Sequence, residues 1–188
     1  MTGSDPRKRA LYRYLAAAAR TGDENAIAQL AKLSAPSLLA HAARLLRSRE
    51  MAEDAVQAAW IEIIRGLPRL VDDTAFLPWA MRIVSRRVAA IIRDRQKQRK
   101  LASEWSVEVG LAGSAQAPSD PDAVSVRAMI DQLDPAHRAV LALFYLEEMS
   151  VAEVALSLDI PTGTVKSRLM HARQKLRNSL EGDLNDQD

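Results

Sequence analysis

Between Thr164 and Arg177 the chain places Lys166, Arg168, Arg173 and Arg177 with no acidic residue among them. Over the same stretch Val165, Leu169, Ala172 and Leu176 recur at steps of four, three and four. At 3.6 residues per turn these apolar positions form one stripe of a helix and pack inward. Gly163, Thr164, Ser167, Met170, His171 and Gln174 are left on the outward side, flanked by the four cations. A groove-sized helix that is apolar behind and cationic in front suits the donors, acceptors and phosphates of DNA. Ser150 to Leu158 is a second, shorter helical pattern, and Asp159-Ile160-Pro161 separates the two. Pro161 cannot continue the preceding helix, and Thr162 or Thr164 can cap the next one. The whole segment is expected to be a helix-turn-helix whose second helix enters the major groove.

A second cationic set lies upstream. Arg82, Arg86, Arg93 and Lys97 recur at four, seven and four on a helix expected from about Ala75 to Lys97, with Arg87, Arg95, Arg99 and Lys100 at its margins. Val84, Val88, Ile91 and Ile92 mark its inward side. Such a stripe suits phosphates, which hold a duplex without reading its sequence. Phe76 and Trp79 fit either of two roles, stacking platforms for unpaired bases or anchors in the core. Further upstream, Glu50 to Leu67 is expected to be a helix with Val56, Trp60, Ile63 and Leu67 inward. Asp54, Gln57, Ala58, Ile61 and Arg65 fall outward, with Glu53 beside them. An isoleucine out of phase with the core, next to a carboxylate and an amide, fits a partner-docking patch or an ordinary solvated surface.

These helices need a scaffold, and composition limits what it can be. The chain has 188 residues, a net charge of +2, 48% hydrophobic residues and only 4% aromatics, so one large or two small domains are possible. Alanine and leucine dominate, which points to an all-α fold. Residues 7–20 and a segment opened by Asp23-Glu24 add two more helices, the second expected to kink or break at Pro36. Gly110, Gly113, Pro118 and Pro121 mark a flexible linker over 101–121. The fold expected is therefore two small helical domains, 7–100 and 122–181, with an acidic tail at 182–188. In the second domain Asp134-Pro135 caps a helix PAHRAVLALFYLEEM, with Val140, Leu141, Phe144 and Tyr145 in its core. Arg138 is left for a phosphate or a surface ion pair. The absence of cysteine removes disulfides and thiolate chemistry. His41, His137 and His171 lack metal-ligand spacing, and there is no phosphate-cradling glycine loop, so neither enzyme chemistry nor a cofactor or metal is expected. No apolar run suffices to cross a membrane, and Tyr12-Arg13-Tyr14 interrupts any signal-peptide core, so a cytoplasmic protein without membrane insertion is expected.

The string IPTGTVKSRLMHARQKLR closely resembles the promoter-reading helix of extracytoplasmic-function sigma factors, the small bacterial RNA polymerase sigma factors. GDENAIAQL and AEDAVQAAWIEIIRGL resemble the N-terminal domain of that family, and the W-x-x-R-I at Trp79 resembles its −10 region. The resemblance spans about residues 10–100 and 120–180. It implies that Asp54 and Gln57 dock on the clamp helices of the polymerase β′ subunit, with Glu53, Ile61 and Arg65 added by helical geometry. It also implies a β-flap contact, promoter DNA bound as both duplex and separated strands, and control by an anti-sigma factor. On this reading Gly163, Thr164, Lys166, Ser167, Arg168, Met170, His171 and Arg173 serve the −35 element. Trp79, Arg82, Arg86, Arg93 and Lys97 serve the −10 element and its backbone.

Two departures stand out. Asp159 replaces the usual glycine before the turn, a position aspartate tolerates in left-handed backbone. Ser85, Arg86 and Ala90 replace the family's R-N-x-A-x-D pattern, which puts the −10 sequence in doubt. The linker is compatible with a strand-mimicking segment or a simple tether. A sigma-like decoy that titrates an anti-sigma factor is the alternative function; an ordinary helix-turn-helix repressor would leave the Asp54–Gln57–Ile61 patch unexplained.

Overall fold

The computed structural model describes residues 6–105 and 133–185, with side chains described up to Leu101 in the first stretch and up to Asn178 in the second. Most of the linker, the start of the second domain and the last tail residues lie outside these limits. Among the described residues the secondary structure is helical, without strands. Helix α1 spans Pro6–Arg20, α2 Glu24–Leu46, α3 Arg49–Gly66 and α4 Phe76–Trp105. In the C-terminal domain α5 spans Pro135–Leu141, α6 Val151–Leu158 and α7 Thr162–Asn185. None of the described helices is long and apolar enough to cross a membrane.

Polar caps set the boundaries. Asp23 accepts from the N–H groups of Asn25 and Ala26 at the start of α2, and Ser48 accepts from Met51 N–H at the start of α3. Asp134 accepts from Ala136 and His137 N–H, with Pro135 at the first helical position. Burial raises the Asp134 pKa, but the His137 hydrogen bonds outweigh it and bring the carboxyl down to about 2. Ser150 and Glu153 form a reciprocal capping box at α6, each accepting from the other's backbone N–H.

Four expectations of layout change. Helix α2 is continuous through Pro36, which is exposed, so the expected break does not occur. Helix α4 continues five residues past Lys100, because Leu101, Ala102 and Glu104 are good helix formers and the first glycine after them is Gly110. Helix α7 runs on to Asn185, through the residues assigned to a tail. Finally, the helix begun at Pro135 widens into a π-turn at Ala142–Leu146, where Glu147 N–H donates to Ala142 O at 3.2 Å. The wider turn shifts the inward positions: Leu143 is fully buried, Phe144 is half-buried and Tyr145 is exposed, not a core residue.

The core is one cluster running through both domains. Leu30, Leu38, Ile63, Phe76, Met81, Val84 and Val88 fill its N-terminal part, and Val140, Leu143, Val154 and Val165 its C-terminal part. Helix α4 packs on α3 and α2 along one side and on α6 along another, so it is the shared wall of the molecule. Gly66 closes α3 against this wall: a β-carbon there would lie 2.7 Å from Trp79 Cζ2. Gly66→Ala is therefore expected to destabilise the fold by about 1–3 kcal/mol through overpacking, read as a lower urea midpoint at unchanged slope.

Candidate nucleic-acid interface

Helix α7 holds its outward face as the apolar spacing requires. Val165, Leu169 and Ala172 are buried and Leu176 is half-buried, which turns Gly163, Lys166, Ser167, Met170 and His171 into solvent. Thr164 and Arg168 are half-buried at the margin. The turn before it is set by Asp159 at φ 56, ψ 46, a left-handed C-cap whose N–H donates back into α6. Aspartate therefore does here what glycine would do with no β-carbon penalty. Val165 N–H donates to Pro161 O at 3.1 Å, which closes the first turn of α7.

Two of the expected cations are already engaged inside the molecule. Arg173 Nε donates to Tyr145 Oη at 2.8 Å, and its guanidinium lies 5.9 Å from the Phe144 ring centre and 5.5 Å from that of Tyr145. This cation–π clasp ties α7 to the π-turn, so Arg173 supports the fold in this structure. Arg138 is neither a phosphate donor nor a surface ion pair. It is 2% exposed, and its two terminal nitrogens donate to Arg44 O at 2.8 Å and Leu133 O at 2.7 Å. Arg44 O is one of the C-terminal carbonyls of α2 that no helical N–H reaches, at the negative end of the helix dipole. His171 has a neighbour the sequence did not suggest. Its ring sits edge-on to His137, centres 6.2 Å apart, and His137 is held in turn by Asp134.

On α4 the stripe divides. Arg93 and Lys97 are exposed and make no ion pair among the described residues, as a phosphate-contacting stripe requires. Arg86 and Arg87 share Glu62 of α3, with Arg86 Nη2 3.5 Å from its Oε2. Arg82 Nη2 meets Asp159 Oδ1 at 2.8 Å, across the two domains. Phe76 is fully buried, and it stacks on Tyr12 with ring centres 6.0 Å apart. Trp79 is half-buried, tilted against Phe76 and pressed over Gly66. In this structure the ring packs over the end of α3. Ser85 is also turned inward, its Oγ 2.9 Å from His41 Nε2.

Helix α3 presents the third face. Ala52, Ala55, Val56, Ala59 and Ile63 are buried, while Glu53, Asp54, Gln57, Ile61 and Arg65 are exposed and Ala58 and Trp60 are half-buried. Ile61 is 51% exposed, and Ile64, which the stripe analysis passed over, is 47% exposed. Ile64 lies three residues after Ile61 and seven after Gln57, so the same spacing places it on this face. Two neighbouring exposed isoleucines beside a carboxylate and an amide form a docking patch better than one does.

The chain is similar to known proteins over most of its length. A family model for Sigma-70 region 2 matches residues 30–98, and one for Sigma-70, region 4 matches residues 123–176. The chain is 30% identical over 164 residues to the RNA polymerase sigma factor CarQ of Myxococcus xanthus, covering 86% of this chain and 92% of that one. It is 28% identical over 172 residues to the ECF RNA polymerase sigma factor SigW of Bacillus subtilis, again covering 86% and 92%. Among solved structures, CnrH in complex with the cytosolic domain of CnrY aligns with a TM-score of 0.67 at 24% identity, covering 92% of this chain and 99% of that one. The sigma factor RpoE of Bartonella quintana, bound to the anti-sigma factor NepR, aligns at 0.66 and 23% identity, covering 81% and 95%. Both share the fold. The chain belongs to the extracytoplasmic-function (ECF) family of RNA polymerase sigma factors.

Proposed function

We propose that this chain binds core RNA polymerase and directs it to promoters with −35 and −10 elements, acting in the cytoplasm. The observation that carries the reading is the outward face of α7. It is exposed and free of acid from Thr164 to Arg177, and it is anchored by a buried stripe on a helix-turn-helix whose left-handed turn is intact. We assign −35 reading to residues 122–181 and both −10 binding and polymerase docking to residues 7–100. Lys166, Ser167, Met170 and His171 face base edges; Gly163, Thr164 and Arg168 line the approach of the backbone. Arg93 and Lys97 supply phosphate contacts beside the −10 element, joined by Arg82 and Arg86 once their carboxylate partners are displaced. The α3 patch takes the β′ clamp helices, and the C-terminal domain meets the β flap. Regulation by an anti-sigma factor belongs to the same proposal, since RpoE, which shares the fold, was solved with one bound. A decoy gains no support from a recognition face kept clear of acid and open to solvent.

Run-off transcription with purified core polymerase on promoters from the gene's own neighbourhood tests the reading. Wild-type chain is expected to give transcripts. Each good base contact is worth about 1–3 kcal/mol of discrimination. Lys166→Ala/His171→Ala is therefore expected to cut transcription from the preferred promoter by about 10-fold or more and to flatten the preference among −35 variants. Arg93→Ala/Lys97→Ala should weaken all promoters alike and shallow the salt dependence by about two phosphate contacts. Absence of both core binding and transcripts overturns the assignment.

A further inference from the structure

Two histidines far apart in the sequence, His137 of α5 and His171 of α7, meet at the edge of the groove-facing surface. Their ring centres lie 6.2 Å apart with the planes at 71°. His171 is exposed, whereas the His137 side chain is only 18% exposed. Asp134, the N-cap of α5, fixes His137 in turn. Its Oδ1 accepts from the backbone N–H groups of Ala136 and His137 at 3.1 Å each, and its Oδ2 is bonded to His137 Nδ1. Burial raises the Asp134 pKa, but the His137 bonds bring it down to about 2, so at neutral pH the group is a carboxylate that can only accept. His137 Nδ1 therefore carries a proton, and the ring cannot turn over without breaking that bond. The same Oδ2 lies 3.6 Å from Lys175 Nζ, one turn beyond His171 on α7.

This arrangement is not the start of a metal site, because no group of three His, Cys, Asp or Glu among the described residues is placed to hold an ion. Its consequence falls on His171. Among the described residues His171 forms no hydrogen bond and no ion pair, which leaves both ring nitrogens for DNA while one side of the ring meets His137. An exposed histidine without a neighbour samples several rotamers, and a base contact accepts one of them. Freezing such a side chain at the moment of binding lowers affinity by about 2- to 10-fold. A fixed ring beside it excludes some of the wrong rotamers beforehand.

The geometry points to His137, locked by Asp134, as a positioning residue for promoter reading: it props the His171 ring in the orientation that meets a −35 base edge. The inference rests on the assignment of His171 to the −35 element. A prop of this kind raises affinity only for duplexes in which His171 finds its base. It therefore acts on discrimination among −35 sequences, whereas a residue that merely holds α5 to α7 would change binding to every duplex alike.

The test uses the full chain assembled with core RNA polymerase, and promoter duplexes that differ only in the −35 element, the preferred one selected from a randomised pool. The readout is the ratio of affinities for the preferred and altered duplexes. His137→Asn keeps an N–H donor for Asp134 but removes the ring, and is expected to lower the ratio by about 2- to 10-fold. His137→Phe keeps a ring in the same place and is expected to recover most of that loss. In a His171→Ala background, His137→Asn should move the ratio no further, because both changes remove one interaction. An unchanged ratio in His137→Asn, a Phe variant no better than the Asn variant, or a further fall in the His171→Ala background overturns the inference, provided that His171→Ala alone lowers the ratio. A wild-type ratio in His171→Ala alone overturns instead the base-reading role of His171, and the role of His137 falls with it.

Discussion

Asp54→Ala/Gln57→Ala is expected to lower affinity for core RNA polymerase by at least about 30-fold while leaving the free chain's fold and its −35 duplex binding unchanged. The fold is spared because both side chains project from α3 opposite Ala52, Ala55, Val56, Ala59 and Ile63, which make its buried face. The DNA term is spared because α7 packs on α5 and α6, and its outward face is separate from the exposed side of α3. The size follows from what a docked carboxylate does. Truncating one partner of a buried, hydrogen-bonded charge pair costs about 2–5 kcal/mol, largely because the other partner stays desolvated and unpaired. Ile61 and Ile64 set the surroundings in which that loss is felt, since exposed apolar neighbours exclude water once docked. Fluorescence anisotropy of labelled chain against core polymerase measures the constant, and wild-type affinity in the double variant would remove α3 from the polymerase interface. Multiple-round transcription should fall with binding and recover at high sigma concentration, because the −35 face is untouched.

Where sequence periodicity decided the outcome, it did so because local burial and global burial coincide. The α7 stripe and the inward face of α3 are apolar at helical spacing, and a helix with such a stripe has one way to bury it. Asp159 was legible for a similar reason, since a left-handed residue before a proline turn is a local demand. The misreadings have a shared cause. Arg138 looks like any surface arginine in PAHRAVL, and only the tertiary approach of α5 to the end of α2 buries it on backbone carbonyls. Trp79 and Phe76 carry no local mark that separates packing from display; in the fold the first lies over Gly66 and the second is buried against Tyr12. The π-turn at Ala142–Leu146 breaks the 3.6-residue count on which the core assignment of Tyr145 depended. Arg82 and Arg86 were placed correctly on an outward stripe, but their pairing with Asp159 and Glu62 is set by how helices meet. Charge at a helix surface is written in sequence; which opposite charge it finds is not.

His41 gives the other large effect, and its origin also lies in tertiary packing. It is fully buried on α2, and burial, reinforced by the positive charge of Arg44, lowers its pKa from the usual 6.5 to about 4. The folded chain therefore keeps His41 neutral, bonded to Ser85 of α4, through a range in which the unfolded chain takes up a proton. Because the folded pKa is the lower one, the unfolded state binds more protons between about pH 6.5 and 4, and stability falls as pH drops through that window. The full loss, reached near pH 4, is about 3 kcal/mol, a large share of the 5–15 kcal/mol typical of a domain. His41→Gln retains an amide able to bond Ser85 but cannot titrate. Urea unfolding at pH 7.5, 6 and 5 is expected to show wild-type stability declining more steeply than that of His41→Gln, the difference corresponding to one proton. Parallel pH profiles would mean that His41 takes its proton in the folded chain as readily as in the unfolded one. The partner in this bond is Ser85, just ahead of Arg86. Acid strain on His41 should accordingly loosen α4, the wall both domains share, before it disturbs the α5–α7 packing.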